Sequence, residues 1–461
     1  MFPANVYSER RNRLRKEVAG GIALFLGNGE APMNYPANTY AFRQDSNFSY
    51  FFGLDHADLA GVIDFDNGID MIFGNDVEID DLIWMGQQPT MKDRAALVGV
   101  TNVQPFESLS QYISDVLTKK RKIHFAPPYR GETFIQLHSL LNIRISDVKK
   151  NASEELIKGI VKLRLVKDAL EVAEIEKMVD VAYEMHTTAM KMAKPGIIER
   201  EIAGAIEGIA LKYGRGVSFP TILTINGQTL HNHYHGNVLT TGRMMVADAG
   251  AESDSLYDSD ITRTVPVGGK FDARQKMIYE TVLKANLAGI AAAKPGVSFL
   301  DVHMQACLVI AEGLKAAGIM KGDAREAVLK GAHSMFFPHG LGHPLGMDVH
   351  DLEGMGEDIV GYGDEGSRSK EFGLSSLRFG RILREGYIMT IEPGIYFIPE
   401  LIDLWQDHRK FEEYINYDAV AKFRDFGGVR IEDDILIIPG GCRVLGKPIP
   451  KTVAEIEELM R

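Results

Sequence analysis

A helix–turn–helix frame occurs twice in this chain. "AKPGIIEREIAGAIEGIALKYG" begins at Ala193 and "AKPGVSFLDVHMQACLVIAEGLKAAG" begins at Ala293, a shift of 100 residues. In each copy a Pro-Gly pair interrupts one helical pattern, and a second helical pattern follows and ends at a glycine. Extended chain that contains histidine comes next in both copies. We therefore predict two related halves, each a helix pair followed by strands, which meet along a central sheet where a site can form.

The part of the chain before this frame is predicted to be a smaller α/β domain. "IALFLG", "LAGVIDF" and "IDMIFG" are predicted strands, and "SLSQYISDVLTKK" is a predicted helix. The aromatic block "FRQDSNFSYFFGL", residues 42–54, is predicted to be a core strand with its turn, and a substrate or subunit surface is the alternative. The clearest amphipathic helix is "KDALEVAEIEKMVDVAYEMHTTAM". We place the domain boundary shortly before that helix, which gives domains 1–157 and 158–461.

Carboxylates stand in strands that are otherwise apolar. "MMVADAG" ends near Asp248 and "YDSDITRTVPV" has Asp260 near its start, so a hairpin is expected to present both side by side. Glu392 interrupts the apolar strand "GYIMTIEPGIYFI", and in "GGVRIEDDILII" Arg430 and Glu432 share one face. A single charge of this kind could lie on a half-exposed strand. Several together are costly to bury unless they are paired or bind a metal, so the set indicates a metal site.

Three histidines lie in "PHGLGHPLGMDVHD", residues 338–351. His339 and His343 have the spacing of one helix face, but the glycines and prolines around them disfavour a helix. On a strand, alternate residues point to one side, so both imidazoles are expected to face one cavity. His350 follows the bend at Pro344–Gly346. Three converging histidines favour a metal or proton-transfer site over isolated polar groups.

Four carboxylates around one imidazole form an oxygen-rich set of ligands. Such hard ligands favour Mn²⁺ or a similar divalent ion, whereas thiolates or several imidazoles would favour Zn²⁺ or copper. Two divalent ions about 3.5–4 Å apart can bridge a water and lower its pKa from about 15.7 toward 7. The predicted cofactor is therefore a pair of divalent ions, Mn²⁺ first, and the predicted chemistry is hydrolysis.

The same residues resemble a known family. In order along the chain, the motifs are Asp248-Ala-Gly, Asp260-Ile-Thr-Arg, His339-Gly-Leu-Gly-His343, Asp348-Val-His350-Asp351, Glu392-Pro-Gly and Arg430-Ile-Glu432. They resemble the pita-bread metallopeptidases, and within them the proline-specific branch of aminopeptidase P and prolidase. The resemblance covers about residues 160–461. It implies an α+β fold, in which a pita-bread domain with an internal pseudo-twofold repeat follows the smaller α/β domain.

The resemblance also implies roles for individual positions. The metal ligands would be Asp248, Asp260, His343, Glu392 and Glu432, and two of them, Asp260 and Glu432, would bridge the two ions. Glu392 would in addition carry the proton that reaches the departing proline nitrogen.

Histidines would contact the substrate. His231, in "TLHNHYHGN", matches a histidine that contacts substrate or intermediate, but His233 and His235 are near enough to take that place. His350 would hold the substrate carbonyl or stabilise the oxyanion, and His339 would support the site from behind.

Two arginines complete the implied site. Arg430 would orient Glu432 or a neighbouring carboxylate. Arg378 matches an arginine that binds the free carboxylate of a dipeptide in prolidases. One departure is Pro344, directly after His343, where family members often carry a bulky aromatic, and this changes the expected pocket shape without affecting the metal ligands.

Two substrate lengths remain open. The segment "FRQDSNFSYFFGL" resembles the N-terminal domain of aminopeptidase P, whereas the tail from "LSSLRFGRIL" onward is closer to animal prolidases. The implied function is hydrolysis of the Xaa-Pro bond at the N-terminus of proline-containing peptides, and a Xaa-Pro dipeptidase is the alternative. More remote alternatives are hydrolysis of creatine, removal of initiator methionine and a non-catalytic peptide-binding module. They fit less well, since all five ligand positions are filled and the N-terminal domain is large.

Composition excludes several partners and compartments. With 51 basic and 63 acidic residues the formal net charge is −12, so neither nucleic acid nor an anionic membrane is an expected partner. No run of about 18 apolar residues predicts a membrane span, and the N-terminal apolar run is too short for a secretion signal. The two cysteines, Cys307 and Cys442, lack a CxxC partner. We expect both cysteines to be buried core residues, and we expect the protein to be cytoplasmic. By family analogy we also expect a homo-oligomer, either a dimer or a tetramer.

Overall fold

The structure is a computed structural model that describes residues 1–461, and the chain divides into two compact units. One unit is Met1–Arg164 with Leu352–Gly356, and the other is Leu165–Asp351 with Glu357–Arg461. The boundary expected at 157/158 falls within the helix Glu154–Arg164. No helix of the chain has both the length and the apolar character needed to cross a membrane.

The N-terminal unit is built on a mixed sheet of five strands. From edge to edge the strands are Asn102–Gln104, Ile69–Phe73, Ala60–Asp64, Ile22–Leu26 and Ile123–His124. The three inner strands pair antiparallel, and each edge strand is parallel to its neighbour. The strands predicted in "IALFLG", "LAGVIDF" and "IDMIFG" are confirmed. Pro32–Tyr35 and Asn38–Thr39 form a separate small pair.

Seven helices belong to the same unit. They are Ala4–Leu14, Ser46–Phe52, Ile79–Met85, Met91–Ala96, Ser108–Thr118, Gly131–Leu141 and Glu154–Arg164, with 3-10 turns at Ile145–Asp147, Lys149–Asn151 and Glu353–Met355. The helix predicted in "SLSQYISDVLTKK" is confirmed. It buries Leu109, Ile113 and Val116 in the sheet's core, because the spacing of four and three residues places them on one helix face.

The prediction of a strand in residues 42–54 was wrong. The segment Ser46–Phe52 is a helix, and all seven of its residues are buried. The side chain of Asp45 caps its first turn by accepting a hydrogen bond from Phe48 N–H at 2.9 Å, and Gly53 ends it at φ 63°. An Asp cap and a left-handed glycine are strong helix boundaries, and they outweigh the strand preference of the aromatic residues between them.

The internal repeat predicted for the second unit is confirmed. The helix pairs are Ala169–Met192 with Glu199–Tyr213, and Ala273–Ala292 with Phe299–Ala316. Gly196 and Gly296 both have positive φ, 91° and 86°, so the turn of each copy needs glycine at the same place. Their N–H groups donate to the carbonyls of Leu239 and Leu383 in the strand-bearing chain that follows each pair.

Each half also supplies a three-stranded sheet. One has the order Ile261–Pro266, Met244–Ala249, Ile222–Thr224, and the other has the order Ile388–Ile391, Asp433–Ile438, Gly441–Val444. Two shorter pairs, Gly394–Tyr396 with Gly428–Arg430 and Gly216–Val217 with Ala251–Glu252, complete the strands. The expected hairpin is confirmed, with Asp248 opposite Thr262 in antiparallel register.

The remaining elements of the second unit are short. The helices are Ala324–Leu329, Glu357–Gly361, Pro399–Asp407, Tyr417–Val420 and Val453–Leu459, and the 3-10 turns are Ala332–Met335, Leu374–Ser376 and Ala421–Phe423. Both cysteines are free; Cys307 is fully buried as expected, whereas Cys442 is half-buried.

Candidate active site

The histidine segment before Gly346 is irregular chain and not the strand that its sequence suggested. It still runs beside the strand Ile388–Ile391: Thr390 N–H donates to His343 O at 3.0 Å, and Glu392 N–H donates to Leu341 O at 2.7 Å. A Cβ on Gly342 would lie 2.0 Å from Thr390 O. The glycines that prevent a helix therefore allow two backbones to approach closely enough to present the histidines.

This segment brings His343 to two carboxylates. Its Nε2 lies 3.4 Å from Asp260 Oδ2 and 3.6 Å from Glu392 Oε1. Its Nδ1 lies 3.1 Å from Pro344 O, and since a carbonyl oxygen only accepts, Nδ1 is the donor in this contact and Nε2 is the nitrogen that faces the carboxylates. A metal-binding imidazole is oriented in this way by a carbonyl behind it. Asp260, His343 and Glu432 bring their ligand atoms within 4.8 Å of one another.

The carboxylates have oxygens that no protein group satisfies. Asp248 Oδ1, Asp260 Oδ1 and Glu432 Oε1 are buried and have no hydrogen-bond partner. Buried polar atoms are normally paired, since leaving one unpaired is costly. Divalent cations such as Mn²⁺ take carboxylate oxygens as ligands, so these three atoms, with His343 Nε2, fit a divalent-metal centre.

The electrostatics agree with this fit. Burial, and then the repulsion of neighbouring carboxylates, raises the pKa of Asp260 and of Glu432 well above the ordinary range. Burial also raises the pKa of Glu392, to about 8, and Asp260 and Asp248 add to the shift. A bound divalent cation would favour the ionised form of each carboxyl group. The negative charge of these ionised groups is what the cations would balance.

Arg430 is linked by hydrogen bonds to two of the expected ligands. Its Nη2 donates to Asp248 Oδ2 at 2.6 Å, and its Nε donates to Thr262 Oγ1 at 3.1 Å. Thr262 Oγ1 donates in turn to Glu432 Oε2 at 2.7 Å. Arg430 thus contacts one expected ligand directly and another through Thr262. Our sequence reasoning missed Thr262, although its position two residues after Asp260 in an apolar strand was the available signal.

A second missed residue, Tyr396, links Arg430 to His339. Its hydroxyl accepts from Arg430 Nη1 at 2.8 Å and lies 2.9 Å from His339 Nε2. His339 Nδ1 is 3.8 Å from Glu392 Oε2. Burial lowers the pKa of His339 to about 3, so this imidazole is neutral at physiological pH. Nothing in the apolar segment around Tyr396 distinguished it from a core aromatic residue.

The site residues expected from the sequence open onto one cavity of about 360 Å³. Every expected site residue lines it: Asp248, Asp260, His231, His339, His343, His350, Arg378, Glu392, Arg430 and Glu432. The ring of His350 lies 4.4 Å from that of His343. Of the two alternatives to His231, His233 also lines the cavity and His235 does not.

Comparison with known sequences identifies the family. Residues 173–439 match the profile of metallopeptidase family M24, and residues 7–124 match the aminopeptidase P N-terminal domain. The first match spans more than half of the chain.

The chain belongs to metallopeptidase family M24.

Its relatives cover nearly its whole length. It is 33% identical to the Xaa-Pro dipeptidase of Homo sapiens, over 97% of this chain and 91% of that protein. It is 31% identical to a probable Xaa-Pro aminopeptidase of Sordaria macrospora, over 100% of this chain and 96% of that one. The structure of Pseudomonas aeruginosa aminopeptidase PepP is 27% identical, with a TM-score of 0.82 and coverage of 100% and 98%.

The family assignment confirms the main expectations about fold and class. The fold is a pita-bread domain preceded by an aminopeptidase P-type N-terminal domain. As an M24 member the protein is a metallopeptidase, which is a hydrolase that uses divalent metal ions.

Proposed function

We propose that this metallopeptidase hydrolyses the Xaa-Pro bond at the N-terminus of peptides. The observation that carries the proposal is the set of buried, unpartnered carboxylate oxygens beside His343 Nε2 in the floor of one cavity. The related proteins named Xaa-Pro dipeptidase and Xaa-Pro aminopeptidase support the choice of bond.

We assign the ligands as the family resemblance implied. Asp248, Asp260, His343, Glu392 and Glu432 would hold two ions, and Mn²⁺ is our first choice because four of the five ligands are carboxylates. When bound, these ions would polarise the substrate carbonyl and activate a water at neutral pH.

The remaining residues act on the peptide itself. His350, with His231 beside it, would donate to the carbonyl oxygen as negative charge develops there; removing one donor of this type costs about 2.7–4 kcal/mol. Glu392 would take a proton from the attacking water and deliver it to the proline nitrogen as the C–N bond breaks. Tyr396 and Arg430 would keep His339 and Asp248 in place through the hydrogen bonds described above.

The chemistry of proline explains why this mechanism can accept an Xaa-Pro bond. The nitrogen of an Xaa-Pro bond carries no hydrogen, so a peptidase that must bind the scissile N–H cannot recognise this bond. Our mechanism binds the carbonyl oxygen and needs no N–H donor from the substrate.

The test of this mechanism is substitution of the proposed ligands and proton carrier. We expect Glu392→Gln and His343→Ala to lower turnover of Ala-Pro and Ala-Pro-Ala by about 10²–10⁴-fold with an unchanged circular dichroism spectrum. Glu385→Gln, in exposed chain outside the cavity, is the matched control and should be fully active. A chelator should abolish activity and Mn²⁺ should restore it. Turnover at the wild-type level in Glu392→Gln would refute the assignment.

A strict dipeptidase is the second candidate, and Arg378 favours it. Arg378 lines the cavity, and its Nη1 donates to Glu357 Oε1 at 2.7 Å. We propose that its guanidinium binds a free substrate carboxylate. Loss of hydrogen bonds to a charged group costs about 1.5–3 kcal/mol, so Arg378→Ala should raise KM for Ala-Pro by about 10–100-fold.

The matched control for that substitution is Arg368→Ala. Arg368 pairs with the same Glu357 but does not line the cavity, so KM for the dipeptide should stay the same. Equal wild-type efficiency on Ala-Pro-Ala and Ala-Pro, with no effect of Arg378→Ala, would select the aminopeptidase.

We further propose a cytoplasmic location and a homo-oligomer. Two free cysteines without a disulfide support a reducing compartment. The oligomer rests on family analogy alone, and light scattering of the purified protein tests it directly.

A further inference from the structure

A second group of metal-ligating side chains lies outside the carboxylate cavity. His303 and Cys307 are four residues apart on the helix Phe299–Ala316, which puts them on one face. His333, in the 3-10 turn Ala332–Met335, joins them. The three ligand atoms lie within 4.8 Å of one another, and the side chains are buried. None of the three lines the carboxylate cavity.

These polar groups are not satisfied by the protein. Cys307 Sγ lies 3.3 Å from His303 Nε2, which is a weak contact. The Nδ1 atoms of both His303 and His333 are buried and have no hydrogen-bond partner. A core cysteine usually sits among apolar groups, whereas this one faces two imidazoles with unused ring nitrogens. A buried polar atom without a protein partner can be satisfied by a bound ion or water, and two such atoms beside a thiol fit a metal ion.

The geometry is close to that of a three-coordinate site. Metal–sulfur and metal–nitrogen bonds of about 2.0–2.3 Å place three ligand atoms about 3.5–4 Å apart. The ligand atoms of the three residues all lie within 4.8 Å of one another, and Cys307 Sγ is 3.3 Å from His303 Nε2. Shifts of about 1 Å in side-chain position would therefore bring the three atoms to the separations of a metal site.

Charge and ligand softness select the ion. Thiolate with two neutral imidazoles is a soft set, of the kind that binds Cu(I) or Zn²⁺ in place of Mn²⁺. Cu(I) with one thiolate has no net charge, whereas Zn²⁺ with the same ligands would leave a buried positive charge, which is costly. Structural Zn²⁺ sites also have four ligands, and here there are three. We propose that His303, Cys307 and His333 form a Cu(I) site that is separate from the catalytic metal centre.

Binding at this site exchanges one proton and no electrons. The Cys307 S–H bond breaks, the sulfur–copper bond forms, and the proton passes to buffer, while copper stays Cu(I). Burial lowers the pKa of His303 to about 3 and that of His333 to about 4, so both rings are neutral and able to bind a metal. Burial raises the pKa of the Cys307 thiol, so the thiol loses its proton only when the metal binds.

Phe337 lies between this site and the segment that carries His339. The ring of Phe337 lies 5.6 Å from that of His303 and 4.8 Å from that of His339. His333 O also accepts the N–H groups of Phe336 and Phe337. Copper at His333 would therefore fix the start of the segment that carries His339. It would raise thermal stability because it binds the folded chain more tightly than the unfolded one.

The experiment measures Cu(I) binding to the full-length, Mn²⁺-loaded protein. Under anaerobic conditions Cu(I) is titrated against a chromophoric Cu(I) chelator, and X-ray absorption identifies the bound ligands. We expect one Cu(I) per chain, bound by one sulfur and two nitrogens, a higher Tm, and unchanged Mn²⁺ content. Cys307→Ser should lose the copper and the Tm increase. Cys442→Ser, which replaces the only other cysteine, should retain both.

Three results would overturn the proposal. One is failure of the wild-type chain to bind more Cu(I) than Cys307→Ser. Another is loss of binding in Cys442→Ser. The third is preference of the same thiol for Zn²⁺ in a direct competition. If Cys307→Ser does not fold, His333→Gln serves in its place: it keeps the thiol and removes one ligand, and stoichiometric Cu(I) binding by that folded variant would equally refute the site.

Discussion

Replacement of Thr262 by valine tests whether the hydrogen bonds behind the carboxylates set metal affinity. Thr262 is fully buried in the strand Ile261–Pro266. Its hydroxyl donates to Glu432 Oε2 at 2.7 Å and accepts from Arg430 Nε at 3.1 Å. Valine has almost the same shape, so it removes both hydrogen bonds without leaving a cavity.

The magnitude follows from what Glu432 loses. Its Oε1 already has no hydrogen-bond partner, and the substitution removes the donor to Oε2. A hydrogen bond to a charged group contributes about 1.5–3 kcal/mol. Loss of a group that orients a metal ligand typically weakens metal binding about 10–100-fold, which corresponds to about 1.4–2.8 kcal/mol. The two figures agree, so we expect Mn²⁺ affinity to fall by one to two orders of magnitude.

The assay is calorimetric titration of the metal-free protein with Mn²⁺, and Thr264→Val is the matched control. Thr264 is also fully buried and lies two residues along the same strand, but its hydroxyl bonds only the backbone of Arg430. We expect Thr264→Val to lower stability by about 1 kcal/mol and to leave Mn²⁺ affinity within about threefold of the wild type. Wild-type Mn²⁺ affinity in Thr262→Val would refute the reasoning.

Three further predictions concern packing, a buried ion pair and a buried histidine. In Gly342→Ala the new Cβ would lie 2.0 Å from Thr390 O, so this variant should lose about 1–3 kcal/mol of stability and bind Mn²⁺ more weakly. The control is Gly204→Ala, in a helix with no atom near the new Cβ. Its free energy of unfolding in urea should rise by up to about 1 kcal/mol. Lys167 Nζ lies 2.7 Å from Asp351 Oδ2, and both side chains are 1% exposed. Lys167→Met leaves the Asp351 carboxylate buried without this cation and should lower the free energy of unfolding by about 3–5 kcal/mol. Adding Asp351→Asn to that variant should recover part of the loss. Burial lowers the pKa of His124 below 6.5, so the unfolded chain binds more protons just below that pH and stability falls on acidification. His124→Gln should flatten the dependence of Tm on pH in that window, and an unchanged profile would contradict this account.

Much of the fold could be predicted from periodicity and boundary residues. The two AKPG frames predicted two helix pairs 100 residues apart, and the first residues of their second helices, Glu199 and Phe299, keep that shift. The block 42–54 was the failure, because its aromatic residues favour strands while Asp45 and Gly53 define helix ends. The cap residues decided the structure there because a helix of one to two turns depends mainly on how its ends are satisfied.

The ten candidate site residues were all chosen from the sequence, and all of them line one cavity. Charged side chains inside apolar strands are rare enough to stand out, and their motifs carried the family resemblance. The residues missed were Thr262 and Tyr396, which orient other groups. The only sequence signal for Thr262 was its place two residues after Asp260, and Tyr396 had none because a tyrosine in an apolar segment is common. The contacts of both hydroxyls are visible only in the structure.

The sequence by itself determined which side chains this protein would bury at a cost, and hence that it would need cations to balance them. Only the tertiary structure decided which groups meet. Asp248 and Arg430, or Thr262 and Glu432, are separated by about 170 residues or more and become partners at hydrogen-bond distance. The same holds for His333 beside Cys307, where nothing in the local pattern of either residue signals the other. Such contacts depend on how two sheets and two helix pairs pack, and that packing is set by the shape of the whole core and not by any single segment.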